Sequence, residues 1–225
     1  MRYPDAKWIG TPNHFGYPAG THGQLQPLAI CDHIMCGTLR GCDAWFNGGG
    51  LSAHFGIGKN GDVHQYVELE DIAWANGSVA NPDPALAYIY ENYNPNVVTW
   101  SIEHEGWPHD YWTEAMYQAD LKLKRWLLGR WPGLAIVGHY QFDSVNRNNC
   151  PGPNWPIERL IADLKEEDVA TIERRVELLE EAARARAFHE RWLAAIGTNV
   201  EAARWESYID TIQAWRLKGN GWAAP

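Results

Sequence analysis

The sequence predicts an α/β domain with a mixed central β-sheet flanked by helices, followed by a C-terminal helical extension. Three observations carry this. Short apolar or β-branched runs alternate with stretches of helical periodicity, the pattern of a layered α/β domain. An Asn60-Gly61 pair between two of the runs supplies the positive φ angles of a tight hairpin, so one strand pair is antiparallel. Beyond residue 165 strand-like runs cease and charged residues flank a regular apolar seam. The domain is therefore placed at residues 1–165 and the extension at 166–225.

Residues 1–26 are rich in Pro, Gly, His and Asn and read as an irregular arm. Leu28 to Cys31 is the first buried strand, Gly48-Gly49-Gly50 a turn, and Ser52 to Ile57 the next strand. Lys59-Asn60-Gly61-Asp62 turns the chain back into Val63 to Val67. A polar, Pro-containing loop from Asn76 to Asn96 leads into the β-branched run Val97 to Glu103. Thr113 suits an N-cap, with Glu114 in the first turn. Met116, Leu121, Leu123, Trp126, Leu127 and Leu128 then set out a helix that stops at Gly129. Ala135 to His139 is the last strand, and another helix begins at Pro156. In the extension Val169, Ile172, Val176 and Leu179 keep 3-4-3 spacing and Ala183 continues it. Gly197 interrupts this helix. Thr198 or Asn199 can cap a second, with Tyr208, Ile209, Ile212 and Trp215 as its apolar stripe. Such a seam packs on its own domain or on a second copy, so a homo-oligomer through these helices is one expectation.

Composition narrows the function classes. The 225 residues are 45% hydrophobic, enough for a substantial core, and carry a net charge of −9. A broad phosphate-binding surface does not fit that charge, which argues against nucleic acid as a partner. No run of about 18 apolar residues exists, so membrane insertion is not expected. The start, Met1 to Trp8, lacks the apolar core of a secretory leader and predicts cytoplasmic synthesis. The 13 Trp and 10 Tyr suit a Trp-rich core or surfaces that take sugar rings. Of four cysteines, Cys31, Cys36 and Cys42 cluster without a zinc-ribbon spacing and read as buried free thiols.

Cys150 stands apart, eleven residues after His139, in Asn149-Cys150-Pro151-Gly152-Pro153. His33 closes the first strand run, Ala29-Ile30-Cys31-Asp32-His33. Two histidines and a cysteine are ligand types that hold Zn²⁺ with one position open for water or substrate. Taken singly each also suits a structural role; the ligand reading rests on the combination. The remaining histidines are read otherwise: His54 as a packed residue, His14, His104 and His109 as surface residues.

The wider context resembles the zinc amidases that cleave the N-acetylmuramoyl–L-alanine bond of peptidoglycan, a group that includes phage amidase endolysins and peptidoglycan-recognition proteins. Over residues 1–165 the matching segments are Cys31-Asp32-His33-Ile34-Met35-Cys36-Gly37-Thr38, Ser52-Ala53-His54-Phe55 with Asn60 to Val67, Ala73-Trp74-Ala75-Asn76-Gly77, Ser101-Ile102-Glu103, Gly138-His139 and Cys150-Pro151-Gly152-Pro153. The resemblance implies a mixed-sheet fold and Zn²⁺ held by His33, His139 and Cys150. It implies Glu103 as the carboxylate that moves the water's proton, with Glu105, two residues along the same strand face, as the alternative. Trp74 and Trp107 are candidates for the walls of the cleft, and Trp100 and Trp126 are candidates for the core. The chain departs from the family's pattern at three places. Ala53 stands where many members have Tyr, and Ala75 where His is common. Asn148 replaces a Lys that stabilises the oxyanion, a role that passes to Arg147 or Asn148.

The implied substrate is peptidoglycan or a muropeptide, and the implied setting a phage or prophage endolysin released to the wall by a holin. A cytosolic muropeptide-recycling amidase is the alternative within the enzyme class. Outside it stand a recognition protein that binds without cutting, which retention of Cys150 disfavours, and a thiol hydrolase using Cys150. Pro151 removes the backbone N–H that would follow such a nucleophile.

Overall fold

The computed structural model describes residues 1–16, 26–166, 177, 179–181, 183, 184 and 186. The chain divides into two units, Met1–Leu160 and Ile161–Pro225. In the second, the described residues are helical and Leu179 is exposed. The predicted seam positions Val169, Ile172 and Val176, and the second helix with Tyr208 to Trp215, lie outside the described residues.

In the first unit the strands are β1 (Lys7–Trp8), β2 (His14–Gly16), β3 (Ala29–Ile34), β4 (Phe55–Ile57), β5 (Val63–Gln65), β6 (Asp71–Ala73), β7 (Thr99–His104) and β8 (Ala135–Gly138). Six of them form one sheet in the order β1-β5-β4-β7-β3-β8. Parallel and antiparallel neighbours are mixed, as predicted. β3 lies between β7 and β8, parallel to both, and β4 runs antiparallel to β5 through the hairpin. Gly61 makes that hairpin, with φ 89° and its N–H donating to the Gly58 carbonyl at 2.9 Å.

The segment read as an arm is more ordered than its composition implied. β1 pairs with β5, and β2 forms a separate two-stranded sheet with β6. The backbone supplies this pairing, so a polar sequence without alternation hides it. The segment between the first two predicted strands holds a helix that the sequence reading passed over, α1 (Leu39–Gly48). Thr38 caps it by accepting the Gly41 N–H, and Leu39, Cys42 and Phe46 form its buried stripe. The loop before β7 contains two single-turn helices, α2 (Ala87–Tyr90) and α3 (Pro95–Val98), so Val97 and Val98 are helical rather than extended. α4 (Glu114–Leu128) starts at Thr113 as expected, its hydroxyl accepting the Met116 N–H at 3.1 Å. A further helix occupies residues 157–166.

Strand alternation gives the sheet two chemically distinct faces. Ile30, Trp100 and Ile102 pack with Phe55, Met116, Leu123 and Leu127 on the α4 side. Ala29, Cys31 and Val137 pack with Leu86, Ile89, Val98 and Phe142 on the other. The α4 side also buries charge. Lys124 donates to Asp32 at 2.8 Å and to Asp120, one helical turn away, and all three side chains are inaccessible. Trp155 Nε1 donates to the second Asp32 oxygen at 2.9 Å. His104 belongs to this cluster. Its Nδ1–H donates to the His33 carbonyl at 3.0 Å, and Nε2 lies 3.1 Å from Asp120. The surface assignment of His104 is therefore wrong: alternation along β7 turns it inward beneath α4, where Trp112 stacks on it at 4.0 Å. Cys36 departs in the other direction. It is exposed, at φ 51°, where the chain turns from β3 into α1, whereas Cys31 and Cys42 are buried.

Candidate active site

The face opposite α4 carries the chemistry. His33 on β3 pairs in register with Glu103 on β7, so the two side chains leave the sheet side by side. His139 follows β8 directly, and β8 is the other neighbour of β3. Cys150 returns to this corner on a loop held by its own hydrogen bonds. The Cys150 carbonyl accepts the Tyr140 N–H at 2.9 Å, and the Cys150 N–H donates to the Arg147 carbonyl at 2.9 Å. Inside the loop Asp143 accepts the Asn146 N–H at 2.8 Å and the Ser78 hydroxyl at 2.8 Å. The Asn146 backbone and side-chain N–H groups hold the Asp143 carboxyl down at about 2. Gly152 permits close passage past the next loop: at φ 111°, a Cβ there would stand 2.2 Å from the Pro108 carbonyl oxygen.

The result is a cluster in which one ligand atom each from His33, His139 and Cys150 lies within 4.8 Å of the others. His33 Nδ1 is 3.8 Å from Cys150 Sγ, and the two imidazole centroids are 4.4 Å apart. Buried Nε2 atoms of both histidines have no hydrogen-bond partner among the described residues. Burial holds the His33 imidazole well below its ordinary value and His139 at about 4, so both are neutral at physiological pH. Burial also raises the Cys150 thiol, which accepts the Ile34 N–H at 3.4 Å. A protonated buried thiol is a poor nucleophile. A cation reverses this by expelling the proton and binding thiolate. Two neutral imidazoles and a thiol with orphaned nitrogens around them form a donor set that fits Zn²⁺.

The cluster lies at a cleft of about 390 Å³, also lined by Glu103, Trp74, Ala75, Arg147 and Asn148. Glu103, the expected acid–base group, lines this cleft. Its Oε2 is buried with no partner among the described residues, and burial raises its carboxyl to about 7, partly offset by the nearby His104 and Arg147. Glu105 is engaged elsewhere, accepting the Lys59 N–H at 2.7 Å in the hairpin turn. Trp74 lines the cleft and Phe15 packs on it at 4.9 Å, extending the aromatic wall. Trp107 does not line it: its loop presents Pro108 to the cleft and leaves the Trp107 ring 60% exposed to solvent. Of the two expected core tryptophans, Trp100 is buried and Trp126 packs against the same cluster. His54 is packed, its Nδ1 accepting the Ser101 N–H at 3.2 Å and its Nε2–H donating to the Asp71 carbonyl at 3.1 Å. The sequence reading missed Phe46, Leu51 and Cys36 as lining residues. The Thr38 cap followed by Leu39, Cys42 and Phe46 would have revealed α1 and with it this wall.

Residues 23–153, more than half of the chain, match the family model described as N-acetylmuramoyl-L-alanine amidase. The chain belongs to the N-acetylmuramoyl-L-alanine amidase family. Its curated relatives include the 1,6-anhydro-N-acetylmuramyl-L-alanine amidase AmpD of Enterobacter cloacae, 30% identical over 116 residues, which cover 51% of this chain and 57% of that protein. The chain thus aligns with little more than half the length of that relative. Among solved structures, a selenomethionine derivative of AmpD shares the fold with a TM-score of 0.60 at 21% identity, over 72% of this chain and 95% of that one. The amidase AmiD from E. coli, solved with an anhydro-N-acetylmuramic acid peptide, gives a TM-score of 0.52 at 16% identity, over 66% of this chain and 60% of that one. This chain brings His33, His139 and Cys150 together beside the half-buried Glu103, and carries Ala53 and Ala75 at the positions expected to hold Tyr and His. Ala53 is fully buried in the cluster around Phe46 and Tyr66, while Ala75 faces the cleft. Among the described residues, no helix is long and apolar enough to cross a membrane.

Proposed function

We propose that this protein is a zinc-dependent amidase that hydrolyses the amide joining the lactyl group of N-acetylmuramic acid to L-alanine. The observation that carries the reading is the cluster of His33, His139 and Cys150 within 4.8 Å, beside the buried carboxylate Glu103. His33, His139 and Cys150 would hold the metal. When bound there, Zn²⁺ supplies Lewis-acid polarisation of the carbonyl and acidifies water. Glu103 accepts the proton of the attacking water at Oε2 and passes it to the nitrogen of the departing L-alanine, so the amide breaks to a carboxylate and a free amine. A carboxyl raised to about 7 suits both transfers near neutral pH. Arg147 and Asn148, on the cleft wall, stabilise the oxyanion of the tetrahedral intermediate. Trp74 walls the substrate.

Two settings accommodate this chemistry. One is an endolysin acting on polymeric wall. The other is a recycling amidase acting on soluble anhydro-muropeptides, and the 30% identity to AmpD favours it. The test is digestion of intact sacculi and of purified anhydro-muropeptides in parallel, reading new N-terminal L-alanine. Cleavage of muropeptides alone supports the recycling setting, cleavage of sacculi the lytic one. Release of reducing sugar ends without free alanine would mean that the bond is glycosidic.

A further inference from the structure

Asn76, in the loop after β6, has no solvent-accessible surface. Its backbone N–H and that of Ala75 both donate to Asn96 Oδ1, at 2.5 and 3.1 Å. Its Nδ2 donates to Thr99 Oγ1 at 2.7 Å and approaches Ser101 Oγ at 3.4 Å. The Thr99 hydroxyl gives its own proton to the Pro95 carbonyl, so it can only accept from Asn76. That fixes the amide's orientation: the NH₂ faces β7, and Oδ1 faces away with no hydrogen-bond partner among the described residues.

Thr99, Ser101 and Glu103 alternate onto the same face of β7, and Glu103 is the register partner of His33. An amide anchored on Thr99 and Ser101 thus lies one step along the strand from the imidazole. The Asn76 side chain lies beside the His33 ring. His33 Nδ1 faces Cys150 Sγ at 3.8 Å, which leaves Nε2 as the nitrogen turned from the cluster; it too is buried and unpartnered. A buried acceptor and a buried donor on neighbouring side chains, both orphaned, pair with a small adjustment or each remain desolvated without compensation.

We propose that Asn76 is the positioning residue for the ligand His33: its Oδ1 accepts Nε2–H, fixing the tautomer whose Nδ1 lone pair points at the metal position between Cys150 and His139. The inference rests on the zinc reading above.

Zinc affinity, measured by competition with a chromophoric chelator, and the ¹⁵N-resolved ring proton of His33 test it together. Asn76→Leu keeps the volume and removes the acceptor. It should bind Zn²⁺ about 10–100-fold more weakly and lose the protected Nε2–H signal. Asn76→Asp restores the acceptor but gives up the Nδ2 anchor on Thr99, so it should recover the affinity only in part. Thr99→Val removes the anchor of Nδ2 and should give an intermediate loss; it decides the matter should Asn76→Leu fail to fold. Wild-type affinity and an unchanged ring signal in folded Asn76→Leu, or in Thr99→Val, would overturn the inference. Failure of the wild-type protein to bind Zn²⁺ would instead overturn the zinc reading.

Discussion

At the scale of single residues, Glu103 and Cys150 share one circumstance: burial pushes both toward their neutral forms until a cation arrives. For Glu103 this has a consequence for stability in metal-free protein. Its folded value of about 7 lies above the ordinary 4.5, so between those pH values the folded state holds a proton that the unfolded chain has released. Stability therefore falls as pH rises from 4.5 to about 7 and stays lowered above it, by about 3 kcal/mol at most. Glu103→Gln should abolish this dependence, unfolding at higher urea than wild type at pH 8 but not at pH 4, while its amidase rate drops about 10²–10⁴-fold with Zn²⁺ retained. A variant no more stable at pH 8 would mean the carboxylate is not strained by burial. Replacing His33, His139 or Cys150 by Ala should instead remove both zinc and activity, readable as metal content per chain. The clustering of these three residues was legible in the sequence because each follows a short apolar run or sits in a Pro-Gly-braced loop. The Asn76 anchor was not, since a polar residue in a Pro-rich loop carries no periodic signal, and only the fold brings it against β7. His104 shows the converse: it was read as a surface residue, yet the alternation that turns Glu103 to the cleft turns His104 under α4.

Among the elements, α4 and the loop carrying Cys150 set how firmly the site is held. The sequence reading found α4 from its leucines and its Thr113 cap. Those signals do not announce Asp120 and Lys124, which point inward, Lys124 meeting both Asp120 and Asp32. Burial of an i,i+4 ion pair cannot be read from helical spacing alone, because the same pair ordinarily lies on the solvent face. Asp32 precedes His33, so this cluster braces β3 from behind. Lys124→Met leaves two carboxylates buried without their cation and should destabilise the fold by about 3–5 kcal/mol in urea titration. A loss under about 1 kcal/mol would show that the cluster relaxes or takes up water. On the opposite side, Gly152→Ala combines a positive φ with a contact to Pro108 that the loop must relieve by moving. The expected result is a cost on the order of 1–3 kcal/mol together with weaker zinc binding, since Cys150 moves with the loop. Destabilisation without any change in zinc affinity would show that the loop and its thiol are uncoupled.

For the molecule as a whole, the mixed sheet brings His33, His139, Cys150 and Glu103 from distant parts of the sequence to one face, and dedicates the other face to holding β3 and β7 in register. The sheet was predictable because the β3, β4, β7 and β8 segments are apolar. The β1–β5 and β2–β6 pairings were not, being made by backbone in polar sequence. The central claim is that this arrangement is a zinc centre directed at the bond between muramic acid and L-alanine. The measurement that bears on it most directly is mass-spectrometric product analysis of muropeptides treated with protein that has been stripped of metal and then reloaded with Zn²⁺. The prediction is free stem peptide beginning at L-alanine plus an intact muramyl sugar, formed by the reloaded protein and lost in both the stripped protein and Glu103→Gln. The same products at undiminished rate from stripped protein, or cleavage at a glycosidic or peptide bond, would contradict the account.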